Sequence, residues 1–120
     1  PQPLKVRVNG QNVLGGAVTY QPEPAPMTFR AVETLDIPVT VDPGKNGPVT
    51  LTAGENACLV LDGEESTSLT LEEKTELLWC ILPDRAQSFC LTLNQGETNY
   101  LLLAQPEPSG DVKLWQETNN

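Results

Sequence analysis

Short stretches in which apolar and polar residues alternate recur along the chain, and they predict β-strands. Leu4, Val6 and Val8 are separated by charged residues, and residues 49–52 alternate in the same way. A period of two places successive side chains on opposite faces of a strand, so each stretch is expected to bury one face. Glycine- and proline-rich segments interrupt these stretches at spacings of roughly 8–12 residues, which is typical of strands joined by turns.

These elements predict an all-β fold, namely a small antiparallel β-sandwich or squashed barrel built from hairpins. A chain of 120 residues can bury one hydrophobic core, so we expect a single domain over residues 1–120. Because proline removes a backbone donor, the proline-rich segments 21–26 and 105–110 are predicted to be extended connections. Residues 1–3 and 117–120 are predicted to be extended tails.

One segment, residues 70–82, has two interpretations. Thr70 followed by Glu73 has the spacing of a helix capping box. Trp79 and its apolar neighbours favour a strand instead, because aromatic and β-branched residues are enriched in sheets. We expect a strand from about Glu76, preceded by at most one short helical turn.

The stretch ELLWCILPDRAQSFCLTL, residues 76–93, departs from alternation because its residues 77–82 are all apolar. We interpret it as a hairpin in which residues 83–87 form the loop and Cys80 lies opposite Cys90. This register collects the largest side chains on one face, whereas a slip of one residue would mix the two faces. The predicted core face consists of Leu77, Trp79, Ile81, Phe89, Leu91 and Leu93.

The second face of this predicted hairpin is also apolar. Leu78 and Leu82 lie on it, and Leu101 and Leu103 join it if residues 92–103 form the next hairpin. Exposing such a face would cost about 1.5–3 kcal/mol per large side chain relative to burial. We therefore expect a cover, which is another part of the chain, a second copy or a different protein, or a hydrophobic ligand.

An internal similarity supports the hairpin interpretation. Residues 50–61 and 92–103 share the pattern T-L-x-x-G-E-x-x-x-L-x-L. Each is predicted to be a strand, a glycine-containing turn and a strand, and in the second hairpin we place Leu93 opposite Thr98. Similar hairpins attracting similar residues and duplication of a β unit both explain the pattern.

The cysteines have two interpretations. Directly opposed residues in an antiparallel pair are close enough for a disulfide, so Cys80 and Cys90 are a candidate cross-strand pair, with Cys58 left over. Alternatively they are buried thiols that act as small apolar side chains. The odd number of cysteines and the lack of a leader pattern favour the buried thiols. Because the cysteines have no basic neighbour in the sequence, a catalytic thiolate is not expected.

Composition excludes several classes of function. The net charge is −9, from 16 acidic and 7 basic residues, and it predicts no nucleic-acid binding, because phosphate contacts need clustered lysine and arginine. The absence of histidine removes Ser-His-Asp and Cys-His mechanisms and imidazole metal ligands. We predict no enzymatic activity and no cofactor.

No leader pattern and no apolar run long enough to span a membrane is visible in the sequence. We therefore expect no membrane insertion. We also expect cytoplasmic synthesis or a virion location rather than secretion.

Two further features suggest binding. Asp62, Glu64 and Glu65 stand close together in the most acidic part of the chain and are weak candidates for Ca²⁺ ligands, since Ca²⁺ prefers carboxylate oxygens. Trp115 is the one tryptophan that falls outside the predicted core, and tryptophan is frequent at the centre of protein interfaces. We add it to the interface hypothesis of Leu78, Leu82, Leu101 and Leu103.

The sequence thus predicts a non-enzymatic structural or assembly protein, a β-sandwich subunit that docks on or decorates a larger multi-subunit particle such as a virion capsid. Its partners are expected to be proteins, reached by self-association into a homo-oligomer or by docking on a larger scaffold. The alternative is a free-standing, secreted ligand-binding module that recognises a sugar or peptide with the help of calcium.

Overall fold

The structure, a computed structural model, describes residues 3–22, 34–84 and 86–118, and in these ranges it contains twelve β-strands and no helix. The strands are β1 (Lys5–Val8), β2 (Gln11–Asn12), β3 (Val18–Tyr20), β4 (Leu35–Asp42), β5 (Val49–Thr52), β6 (Ala57–Leu61), β7 (Glu64–Ser66), β8 (Ser68–Leu71), β9 (Thr75–Ile81), β10 (Phe89–Gln95), β11 (Thr98–Pro106) and β12 (Val112–Thr118). The capping-box helix over residues 70–82 does not form, because β8 and β9 occupy this segment.

The strands form two antiparallel sheets of six strands each. Sheet A has the order β2-β1-β4-β9-β6-β7, and sheet B has the order β3-β12-β11-β10-β5-β8. The two sheets pack face to face as a small β-sandwich, which confirms the predicted fold class. Strands β7 and β8 are nearly continuous in the chain, so one segment supplies an edge strand to each sheet.

The core lies between the sheets and is built from the inward positions of the alternating strands. Buried residues follow every second position in β4 and β10, as the period-two pattern requires. In β9 the alternating positions Leu77, Trp79 and Ile81 are buried, and Cys80 is buried in addition. All members of the predicted core face of residues 76–93 are buried in this cluster. They are Leu77, Trp79, Ile81, Phe89, Leu91 and Leu93.

The predicted hairpin over residues 76–93 is wrong, because its two strands belong to different sheets. Strand β9 pairs with β4 and β6 in sheet A, whereas β10 pairs with β11 and β5 in sheet B. Two strands can each bury an apolar face in the core when they are neighbours in one sheet, and equally when they lie in opposite sheets. Local alternation is the same in both arrangements, so it could not distinguish them.

The second predicted hairpin is correct in its strands and differs in its register. Gln95 pairs with Thr98, so Leu93 lies opposite Tyr100 rather than Thr98. The shift is by an even number of residues, which keeps every side chain on its predicted face. The similar segment 50–61 is not a hairpin, because β5 and β6 lie in different sheets.

A glycine and a buried amide hold the connections between the sheets. Gly54 follows β5 with φ +81°, and a Cβ atom there would stand 2.8 Å from the carbonyl oxygen of Cys90. Gln95 is buried, and its Nε2 donates hydrogen bonds to the carbonyl oxygens of Pro43 (2.8 Å) and Gly47 (2.9 Å). The loop between β4 and β5 is thereby fixed to the end of β10.

Residues close to the two chain ends meet in sheet B. Strand β3 pairs with β12, with Val18 opposite Leu114, and the backbone N–H of Gly15 donates to Oε1 of Gln116 across a separation of 101 residues. The predicted tail 117–120 is strand as far as residue 118, and the predicted connection 105–110 begins inside β11. Most of the proline-rich segment 21–26 lies outside the described residues.

Candidate functional site

The outer face of sheet B carries an apolar patch on two neighbouring strands. Leu103 of β11 lies directly opposite Trp115 of β12, and Leu101 is two residues away on the same face. All three side chains are half-buried and stand outside the core cluster, so each keeps part of its surface accessible to solvent. We call Leu101, Leu103 and Trp115 the sheet B patch.

Polar side chains surround the sheet B patch on the same face. Ser88 donates a hydrogen bond from its Oγ to Oε1 of Gln105 (2.7 Å), next to Leu103 along β11. On the other side, Thr50 and Thr70 hydrogen-bond to each other through their hydroxyl oxygens at 3.1 Å. A patch of large apolar side chains within a polar rim is the usual anatomy of a protein interface.

An open depression lies against the tryptophan. It has a volume of about 380 Å³ and is lined by Ala17, Gln105, Lys113 and Trp115. Ala17, which has a small side chain, borders this depression together with Trp115. Such a depression can receive one side chain of a partner.

Charges flank Trp115 symmetrically along its own strand. Lys113 and Glu117 lie two residues before and two residues after Trp115, so all three share the outer face of sheet B. Lys113 and Glu117 are both exposed. Their opposite charges leave this part of the surface nearly neutral, although the whole chain carries −9.

The five predicted interface residues do not form one surface. Leu78 is on the outer face of sheet A, opposite Pro38 on one side and Val60 on the other. Leu82 follows the end of β9 and packs against the core. Only Leu101, Leu103 and Trp115 come together. The prediction grouped Leu78 and Leu82 with them because it assumed a hairpin between β9 and β10, which the structure replaces by a crossing between sheets.

The predicted cysteine pair is also corrected. Cys80 in sheet A lies opposite Cys58 of β6, whereas Cys90 in sheet B lies opposite Leu103. Cys80 is 1% exposed yet stands outside the core cluster, which places it on the outer face of sheet A together with Cys58. The sequence analysis left Cys58 over, since the run ACLVL does not show which strand lies beside it.

A second cavity opens beside the cysteines of sheet A. It has a volume of about 220 Å³, and both cysteines are among its lining residues. Those residues are Thr34, Asn56, Ala57, Cys58, Glu65, Cys80 and Leu82.

On the opposite sheet, burial raises the pKa of the Cys90 thiol above its ordinary value, and this outweighs the hydrogen bond from Thr92, which lowers it. Cys90 is therefore a poor nucleophile near neutral pH.

The acidic residues near β7 are not arranged as a cation site. Across residues 3–22, 34–84 and 86–118, no group of three or more histidine, cysteine or acidic side chains is placed to hold a metal ion. Glu64 and Glu65 are consecutive in β7, opposite Leu61 and Val60, so they point to opposite faces of sheet A. They cannot combine with Asp62 around one ion.

The same described part of the chain contains no helix that could span a membrane.

The chain matches no protein-family model, and no curated protein and no solved structure is significantly similar to it. The chemistry of the two outer faces is therefore the basis on which a function can be proposed.

Proposed function

We propose that this chain is a non-enzymatic structural subunit of a larger multi-subunit assembly, of the kind that decorates a virion shell, and that the sheet B patch is its docking surface. The observation that carries the proposal is the exposed part of Trp115 beside Leu103, within a rim of polar side chains on the outer face of sheet B. Tryptophan is enriched at the centres of interfaces, and charged residues are depleted there.

A second copy of the chain is the partner that this surface fits best. In a face-to-face dimer whose two-fold axis runs across β12 at Trp115, the two β12 strands lie antiparallel over each other. Lys113 then faces Glu117 of the second copy, and the reciprocal pair forms on the other side of the axis. A two-fold interface must be self-complementary, and this arrangement of charges satisfies that condition.

Surface chemistry also supports a role in assembly rather than catalysis. The sheet B patch lies on the regular strands β11 and β12, beside the open depression at Trp115. Its polar rim consists largely of threonine, serine and amide side chains, which are suited to hydrogen bonding across an interface. Homo-oligomerisation through this patch would provide the repeating unit that a decorating subunit needs.

Light scattering after gel filtration, at several protein concentrations, tests the proposal. We expect a dimer or larger closed oligomer, and Trp115→Ala should shift it to the 13.0 kDa monomer. Lys113→Glu should weaken self-association at least tenfold, because like charges that face each other cost several kcal/mol. The double variant Lys113→Glu/Glu117→Lys should restore it.

Lys45→Glu is the matched control, because it changes the net charge equally at an exposed loop position. It should leave the oligomer intact. A monomer at every concentration would exclude a second copy as the partner, and failure of the double variant to restore association would exclude the proposed axis.

A further inference from the structure

The outer face of sheet A contains two cysteines in direct cross-strand register. Cys58 of β6 lies opposite Cys80 of β9, in the middle of a run of paired residues from Ala57 to Val60. Directly opposed residues in an antiparallel pair have Cα atoms about 4.5 or 5.5 Å apart, depending on the type of pair. Both separations fall within the range of disulfides, about 4.4–6.8 Å.

The two thiols differ in access to solvent. Cys80 is 1% exposed, whereas Cys58 is only partly buried. The cavity of about 220 Å³ that borders both of them is open, so a small molecule can approach Cys58 from outside the sheet. A reagent therefore reaches Cys58 first, and Cys80 reacts only with what is already attached to its neighbour.

We propose that Cys58 and Cys80 are a redox-active dithiol pair, in which Cys58 exchanges with a low-molecular-weight disulfide and Cys80 resolves the product. The Cys58 thiolate attacks one sulfur of glutathione disulfide, forms a mixed disulfide and expels one glutathione thiolate. The Cys80 thiolate then attacks Sγ of Cys58 and expels the second glutathione. Two protein thiols are oxidised to one disulfide, and one glutathione disulfide is reduced to two glutathione molecules.

Cys90 cannot take part in this exchange within one folded chain. It lies on the outer face of sheet B, opposite Leu103, and packed sheets are separated by about 10 Å of core. This modification site is independent of the proposed docking function, because the sheet B patch and the cysteine pair occupy opposite outer faces of the sandwich.

The first experiment maps the bridge in the unaltered chain. The reduced protein is incubated with glutathione disulfide at mildly alkaline pH, quenched with a maleimide, and analysed by intact mass and peptide mapping. We expect a transient adduct of one glutathione at Cys58, followed by a Cys58–Cys80 disulfide and a maleimide on Cys90. Three maleimide-labelled cysteines at the end of the reaction, or a bridge that includes Cys90, would overturn the proposal.

Two variants test the order of the steps. Cys80→Ala should stop at the mixed disulfide and accumulate one glutathione at Cys58, while Cys58→Ala should remain unmodified at Cys80. An equal adduct at Cys80 in Cys58→Ala would contradict the assignment of Cys58 as the attacking residue. Cys90→Ala is the control and should form the bridge at the rate of the unaltered chain.

Thermal unfolding gives a measurement that requires no variant. A bridge between β6 and β9 restricts the unfolded chain, and we expect the oxidised protein to unfold at a midpoint roughly 10 °C higher than the reduced protein. Addition of a reducing thiol should return the midpoint to its first value. A lower midpoint after oxidation would show that the bridge distorts the pairing, and would contradict the geometry on which the proposal rests.

Discussion

Gly54 offers the sharpest test of how closely the segment after β5 packs against its neighbour β10 in sheet B. With φ +81°, this residue occupies a backbone region that side chains disfavour, and its Cα approaches the Cys90 carbonyl so closely that a Cβ would stand 2.8 Å from the oxygen. That oxygen belongs to the backbone of β10, which its sheet partners hold in place. It therefore cannot move aside as a flexible side chain would. Gly54→Ala should be strongly destabilising.

Gly63 is a matched control within the same chain. Its φ is +82°, nearly the same as that of Gly54, but a Cβ atom there would meet nothing within 4 Å. Alanine at either position carries the cost of the left-handed conformation, about 1–2 kcal/mol. Only alanine at Gly54 adds the overlap with β10, for which overpacking in a core suggests roughly 1–3 kcal/mol more. The expected losses are about 1–2 kcal/mol for Gly63→Ala and about 2–5 kcal/mol for Gly54→Ala.

Equilibrium unfolding in urea, followed by tryptophan fluorescence, measures both variants. The difference in the free energy of unfolding between them isolates the contact with β10, provided that the denaturant slope is unchanged. Equal losses would show that β10 yields without cost, and would refute the claim that the segment after β5 packs tightly against β10. A larger loss for Gly63→Ala would show that the close approach to the Cys90 carbonyl oxygen does not determine the cost of a side chain at Gly54.

Two further predictions concern the buried amide of Gln95 and the half-buried thiol of Cys90. Gln95→Ala leaves the Pro43 and Gly47 carbonyl oxygens without their donor, so it should lower the free energy of unfolding by at least about 1–3 kcal/mol in the same urea assay. The control is Gln116→Ala, which removes one hydrogen-bond acceptor near the surface and should cost less than about 1 kcal/mol. Because burial raises the pKa of the Cys90 thiol, iodoacetamide should alkylate Cys90 more slowly than it alkylates free glutathione near neutral pH. The rate of alkylation of Cys90 should rise at more alkaline pH. A rate equal to that of glutathione would contradict this prediction.

Alternation along the chain predicted the faces of the strands well. The residues from Leu77 to Leu93 that were expected to face the core all do so, and the register error at the turn after Gln95 changed no face. A face depends only on parity within a strand, and parity is a local property of the sequence. That is why the all-β sandwich and most of its core could be predicted.

Strand partners could not be predicted in the same way. Whether Cys80 lies beside Cys90 or beside Cys58 depends on which sheet each strand joins, and this is decided by the packing of the whole chain. The loop 83–87 resembles a hairpin turn by composition, yet it carries the chain from one sheet to the other. The candidate site was affected in the same way: Leu101 and Leu103 share one outer face, whereas Leu78 lies on the other sheet.

The pairing of β3 with β12 has a consequence for how the protein is made. Residues 18–20 cannot find their partners until residues 112–114 have left the ribosome, so this edge of sheet B is completed only after nearly the whole described chain has been synthesised. Closing so long a loop is entropically slow, and the apolar positions of β3 and β11, which both pair with β12, stay accessible in the meantime. A nascent chain stalled before residue 112 should therefore be a preferred client of chaperones.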